Sequence, residues 1–507
     1  MVKIKGLGAS LLIGLFLCGC GQAKASSDAT SSDSKTATPQ PSSSSSVITL
    51  HEVFEDYNKA VLWETDVPYG SDIVYAGKAP TTSYDENGVT YTWTGSWDAP
   101  LKNVINEYIY KPVYGDGKIT QCTANFYADE AKTTLLYTTT VNWNTYPDYA
   151  GPQPTKTGTS EYTYEFNNQW SPALSNLTAR NNDFVACFDK ESVGLVFEHK
   201  SELINEWTPT SYAGSATTLY VPSYHQGWKV TYCDDGAFKE NSTLQEAYFA
   251  EGFQMLGRQS FLNCTALKKL DLPRSLADYR GGAVNGCTSF PADGWNFYNG
   301  SSKFSVDSGI LYGLSVYSDG SKFFWAFDAA STVSGAITLL GDKYSQSGLN
   351  DYVFYGSKIT TITLPSNCSA VGIYAFANCS ELASVVIPAS VNELSDSTFE
   401  DCPKLASVTF ASGSACYKIG KSVFEDDIAL TGFIVPSGVM SIGATAFQNC
   451  KALNASPIAL SSKIDEIGSK AFDGISGATF NCKATSKPYN WATDWADSTA
   501  NTINWGV

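Results

Sequence analysis

Histidine and methionine are almost missing from this 507-residue chain, with three of each. His51, His199 and His225 lie in separate regions, so no histidine pair is close in sequence. The side chain most often used as a general base near neutral pH is therefore scarce. HExxH, GxSxG and P-loop patterns are absent, and CxxC too, the nearest approach being Cys18-Gly19-Cys20. A glycosidase carboxylate pair is not excluded by residue type. Yet the acidic clusters "FEDC" (399–402) and "FEDDI" (424–428) recur at one repeated position and read as solvated turn charges. "DENG" (85–88) lacks the spaced ligands and closing Glu of a calcium loop. No metal, no cofactor and no enzyme activity are expected. Positive charge is also short: 33 Lys and Arg against 50 Asp and Glu give a net charge of −17, with no basic cluster. Nucleic acid and polyanionic lipid surfaces are thereby disfavoured as partners, because both require clustered cations. After residue 20 no apolar run approaches the ~18 residues of a membrane-spanning helix.

What the chain does have is repetition. "MLGRQSFLNCTAL" (255–267), "AVGIYAFANCSEL" (370–382), "ELSDSTFEDCPKL" (393–405) and "SIGATAFQNCKAL" (441–453) share one pattern. Its phenylalanines fall at 238, 261, 354, 376, 399, 424, 447 and 472, with Val284 in the same slot. Behind them come apolar strands often closed by proline, such as "LKKLDLP", "ITTITLP" and "LASVVIP". Alternating Leu382, Val385 and Ile387 point inward, and Pro ends pairing by removing a backbone donor. A unit of about 23 residues cannot bury its own apolar face, whereas stacked copies can, so the repeats predict a solenoid.

Five of the nine Phe slots carry cysteine three places on: Cys264, Cys287, Cys379, Cys402 and Cys450. The other four carry Asn241, Ser357, Asp427 and Ile475. Catalysis would not tolerate that list, but a buried slot for a small or hydrogen-bonding side chain would. Phe238, Phe261, Phe376, Phe399 and Phe447, with Cys264, Cys379, Cys402 and Cys450, are accordingly read as structural repeat residues.

On these motifs, residues from about 192 to 507 resemble the BspA-type leucine-rich repeat of bacterial surface proteins, whose outline is "IG..AF..C..L..I.IP.SV". "SIGATAFQNCKAL" followed by "PIALSSKIDEIGSKAF" carries the likeness, and the tryptophan-rich end at about 480–507 is similar to that family's closing segment. Residues 288–353 depart from the pattern and form an irregular island. The resemblance implies a cell-surface protein that contacts host or neighbouring-cell macromolecules.

The first twenty residues, "MVKIKGLGASLLIGLFLCGC", have a basic start and an apolar run. Leu17 to Cys20 resembles a bacterial lipobox, which would make Cys20 the lipidated first residue of the mature chain; an ordinary signal peptide cleaved nearby is the alternative. Residues 21–46 are Ser/Thr-rich and predict a solvated tether. Processing would leave eleven of the 13 cysteines, an odd number, and no bridge is expected for Cys122 or Cys187.

Between tether and solenoid lies a second repeat. "VPYGSDIVYAGKAPT" (67–81) aligns with "VNWNTYPDYAGPQPT" (141–155), and "YTWTGSWDAPLKNV" (91–104) with "YEFNNQWSPALSNL" (164–177). Residues 47–116 and 117–191 are therefore two β-rich modules, which resemble internalin-type B repeats with a β-grasp-like fold. Trp97 and Trp170 occupy equivalent positions and read as module cores rather than a ligand platform. The fold class is mainly β with short helical or turn segments, a solenoid preceded by two small modules.

Outward strand positions are the eighth and tenth after each Phe: Glu246 and Tyr248, Lys269 and Asp271, Ser384 and Val386, Ser407 and Thr409, Gly432 and Ile434, with Thr361 and Thr363 from a shortened repeat. With strands ~4.8 Å apart, nine coils would present a continuous ladder roughly 40 Å long. That face is one candidate site for an extracellular protein or glycan. The island, with Trp295, Tyr298, Phe324 and Trp325, is the other. A lipid-anchored, monomeric surface binder is the leading expectation. A structural envelope spacer and a hydrolase sited in the island are the alternatives.

Overall fold

The computed structural model describes residues 47–200 and 206–507. Cys20 and the Ser/Thr-rich tether lie outside the described residues. Two compact units appear: one holds the described residues up to Tyr84 together with Thr92–Asp116, the other Asp85–Tyr91 with Gly117–Val507.

In the first unit, the strand Thr49–Glu55 pairs antiparallel with Val61–Pro68 and parallel with Ile109–Tyr110. In the second, Gln121–Tyr127 pairs antiparallel with Leu135–Asn142 and parallel with Asn181–Ser192, which pairs antiparallel with Tyr162–Ser171. Each module has its own aromatic core, and the two cores are built alike. Phe54 is ringed by Trp63, Tyr75, Trp97 and Tyr110. Phe126 is ringed by the equivalent Tyr137, Tyr149, Trp170 and Phe184. The hydroxyls of Tyr75 and Tyr149 each donate to the carbonyl three residues on, Lys78 and Pro152, which fixes each ring against its loop. Small domains bury little area, so one dense ring cluster supplies most of their cohesion.

From residue 219 onward a single buried core runs to Ala496. Each regular coil has three sides, and each side bonds to the next coil. The first is the outer strand: Ser384–Ile387 pairs in parallel with Ser407–Phe410. The second is a short "IG" strand that the sequence reading does not separate out: Glu393–Leu394, Lys418–Ile419, Ser441–Ile442 and Glu466–Ile467 form one parallel sheet. The third is the "AF..C" turn, whose amides donate one coil forward, as Phe399 N does to Val423 O (2.9 Å) and Phe447 N to Ala471 O (2.7 Å).

Two features refine the expected fold. Where short helical or turn segments are predicted, the described residues contain turns and no α-helix. Each "AF..C" segment holds two left-handed residues four apart, such as Tyr374 (φ 56°) and Asn378 (60°) or Thr445 (53°) and Asn449 (62°). Left-handed backbone at that spacing prevents a helix from propagating.

Residues 288–353 are also more regular than an island. Ser334–Thr338 joins the outer sheet beside Lys358–Thr363. On the opposite side, an antiparallel meander of Phe304–Asp307, Ile310–Val316 and Lys322–Ala329 continues in parallel into Gln346–Leu349 and Cys368–Val371. The stretch is thus a solenoid coil with a hairpin inserted on its "IG" side, and the hairpin erases the 23-residue period locally.

The outer face is interrupted by that insertion and again between Gly432–Phe433 and Ile458–Leu460. Instead of one ladder there are three sheets: four strands from Thr218–Val221 to Trp295–Phe297, five from Ser334–Thr338 to Gly432–Phe433, and three from Ile458–Leu460 to Thr502–Trp505. At the end of the chain, Trp495 stands edge-on to Phe472 and Phe480, and the Trp491 indole donates to Ile464 O (3.1 Å), closing the core.

Candidate binding surface

The outer face of the five-stranded sheet is built by alternation. Val385, Val408 and Phe433 point into the core, while Thr361, Thr363, Ser384, Val386, Thr409 and Gly432 are exposed and Ser407 is half-buried. Register places Thr361, Ser384, Ser407 and Gly432 side by side in one row, and Val386 beside Thr409 in the next. These rows carry no formal charge. Val386 and Ile434 put bare apolar surface among the hydroxyls, at 57% and 84% exposure.

The four-stranded sheet differs in chemistry. Glu246 pairs in register with Lys269, and Tyr248 with Asp271. Lys269 Nζ sits 2.9 Å from Asp271 Oδ2, and Asp271 also accepts from the Asn296 amide, so these charges are internally matched. Tyr248 stacks on Tyr298 (5.0 Å, 20°), whose hydroxyl donates to Phe249 O (2.8 Å). The structure therefore brings together two residues that the sequence assigns to rival sites.

The remaining island aromatics are distributed otherwise. Trp295 is buried, and its indole donates to the Tyr279 hydroxyl (3.1 Å). Phe324 is buried in a stack between Tyr312 (5.1 Å) and Tyr344 (4.3 Å). Neither can offer a ring face to a ligand, which removes Trp295 and Phe324 from the island's candidate residues. Trp325 is half-buried and lies on Phe323 (4.2 Å, 24°).

The five-stranded sheet ends in a cleft of about 760 Å³, lined by Ser407, Thr409, Phe410, Ile434, Pro436 and Pro457 among others. The cause is local. After two extra residues, Pro457 directly precedes the inward Ile458 as Ser384, Ser407 and Gly432 precede Val385, Val408 and Phe433, and it has no N–H to donate. Pairing stops there, Ile458–Leu460 starts another sheet, and the two sheets leave a gap at the surface. Pro457 in a strand slot was the available signal, and sequence reasoning passed over it.

The cysteine slot has a defined geometry. Each thiol donates to the carbonyl of the Phe one coil earlier: Cys264 to Phe238 (3.0 Å), Cys379 to Phe354 (3.0 Å), Cys402 to Phe376 (3.1 Å) and Cys450 to Phe424 (2.9 Å). Burial holds the Cys264 thiol up at about 11 and pushes that of Cys450 well above its usual range. Both stay protonated, as donors must, and a protonated thiol is a poor nucleophile. All eleven cysteines among the described residues are free. Beneath them the phenylalanines form a stack, with Phe376–Phe399 at 5.2 Å and Phe399–Phe424 at 5.6 Å, both within 5° of parallel.

Parallel strands on one side of stacked coils, tight turns on another and a core of repeated apolar slots define a leucine-rich-repeat solenoid. The family described as "BspA type Leucine rich repeat region" matches residues 219–291 and 347–485 in six copies. No curated protein matches the chain. Among solved structures, the Treponema pallidum leucine-rich repeat protein is similar at 22% identity over 47% of this chain and 88% of its own, with a TM-score of 0.26. A leucine-rich repeat protein from Eubacterium ventriosum is similar at 16% identity over 56% and 92%, with a TM-score of 0.34. The pneumococcal vaccine antigen PcpA is similar at 12% identity over 83% and 98%, with a TM-score of 0.36.

Proposed function

We propose that this chain is a lipid-anchored bacterial cell-surface protein that binds an extended extracellular polymer, peptide or glycan, along its five-stranded outer face. The observation that carries this reading is the uncharged row of hydroxyl and small apolar residues that leads into the Pro457 cleft. Hydroxyls supply hydrogen bonds to a polar backbone, Val386 and Ile434 supply shallow apolar contact, and repetition adds weak contacts along one ligand. The BspA-type repeats and the signal-like first twenty residues support an extracytoplasmic location.

The purified protein, screened on arrays of glycans and extracellular proteins, tests the binding claim. Combined Ser384→Lys, Ser407→Lys and Thr409→Lys changes should weaken capture by about tenfold or more while the melting curve stays in place. Capture that survives those changes but disappears in Trp325→Ala moves the site to the inserted hairpin. For the anchor, Cys20→Ser should abolish incorporation of radioactive palmitate and release the protein from cells. Retained label would end the lipoprotein reading.

A further inference from the structure

Glu165, Glu191 and His225 are 26 and 34 residues apart in sequence, and nothing in their spacing marks them as a set. Folding brings one ligand-capable atom from each within 4.8 Å of the others. Glu165 lies on Tyr162–Ser171 and Glu191 on Asn181–Ser192, neighbouring strands of the second module. His225 belongs to a small hairpin of the first solenoid coil, Tyr224–His225 with Trp228–Lys229. All three sit inside the second compact unit.

The imidazole is held in place from several directions. Its ring lies flat on Phe197 (3.9 Å, 12°) and edge-on to Trp207 (5.5 Å), while Nδ1 faces Glu191 Oε2 at 2.7 Å. Gln226, in the left-handed region at φ 49°, turns the hairpin so that its amide donates to Glu165 Oε2 (3.2 Å). A neighbouring tie already joins module and coil: Asp189 Oδ2 accepts from Ser223 N (2.9 Å) and Ser223 Oγ (2.5 Å). The side chains of His225 and Glu191 are only 14% and 11% exposed. Among the described residues no ion pair joins Glu165 or Glu191 to a lysine or arginine.

Two carboxylates and one imidazole converge in a half-buried site, and a divalent cation can take all three as ligands while offsetting carboxylate charge. Imidazole favours first-row transition metals of the zinc type over calcium or magnesium, which take oxygen ligands. Ligand bonds of ~2.0–2.2 Å put donor atoms roughly 3–4 Å apart, within a side-chain rotation of the present positions. We propose that Glu165, Glu191 and His225 bind one divalent metal ion of the zinc class, and that the ion clamps the second module to the first hairpin of the solenoid. Water would complete the coordination. The joint would then stiffen when metal is present, holding the solenoid at a set angle to the module that carries it.

Chelator-treated, purified full-length protein titrated with zinc sulfate by calorimetry is the test. One equivalent should bind, and Glu165→Gln and His225→Ala should each weaken that binding by about tenfold or more. His51→Ala alters the exposed imidazole beside Asp66 in the other unit and should leave binding unchanged. Zinc should raise the melting temperature of the parent but not of Glu165→Gln, which circular dichroism must show to be folded. Absence of saturable zinc binding overturns the proposal, as does binding unchanged in Glu165→Gln or lost in His51→Ala. Calcium binding as tight as zinc would remove the imidazole from the ligand set and would also overturn it.

Discussion

Coils 354–472 and the inserted stretch 295–349 feed one continuous core, yet they are held together differently. The regular coils use repetition: a Phe stack with spacings of 4.9 to 5.6 Å and, where the slot holds cysteine, a thiol donating to the preceding Phe carbonyl. The insert uses one local polar centre. Asp328, fully buried, accepts from the Tyr279 hydroxyl (2.8 Å), Val284 N (3.0 Å) and Ala329 N (2.9 Å). Trp295 in turn donates to Tyr279. Repetition spreads cohesion over many equivalent slots, and the cysteine slot accordingly also holds Asn241, Ser357, Asp427 and Ile475. A single centre concentrates it, so each member matters and no second copy can replace it.

The sharpest way to break the regular side is to remove one ring from the stack. Phe399→Ala should destabilise the protein by about 3–5 kcal/mol, read by denaturant unfolding, because the ring is fully buried between two others. On the insert side, Asp328→Ala should cost roughly 3 kcal/mol, since it strands the Tyr279 hydroxyl and Val284 amide without an acceptor.

The same aspartate sharpens the comparison through pH. Burial raises its carboxyl from 3.8 to about 7, against the lowering effect of the donors around it. The native state therefore holds the proton more tightly than the unfolded chain does. The stability it contributes is complete below about pH 4 and is lost as pH rises through 7. A melting temperature followed from about pH 5 to pH 8 should fall, and Asp328→Asn should make that fall shallower. Asp427, in the cysteine slot of a regular coil, is also raised by burial and should keep some of the slope. A slope unchanged in Asp328→Asn would show that the insert's polar centre does not govern it.

The smallest effect belongs to the thiols. Cys450→Ala should lower stability by about 1–2 kcal/mol and leave ligand capture intact, with slow labelling of Cys450 by thiol reagents in the native protein. Rapid labelling with loss of binding would turn that slot from architecture into chemistry.

The period itself was legible from a linear reading. A buried slot recurring every 22 to 25 residues restricts which side chains appear in it, so Phe, Cys and the alternating Val385 and Ile387 announce coil, core and outward face in any register. The paired aromatics of the two modules were legible on the same ground, since Trp97 and Trp170 repeat because their surroundings repeat. What the period cannot carry are events that occur once. The hairpin at Phe304–Ala329 splits the outer ladder, Pro457 opens a cleft, and Trp295 and Phe324 turn inward, each decided by which coil lies beside it. Glu165, Glu191 and His225 show the limit most plainly. Their meeting depends on how a strand pair and a hairpin pack, and distance along the chain holds no record of that.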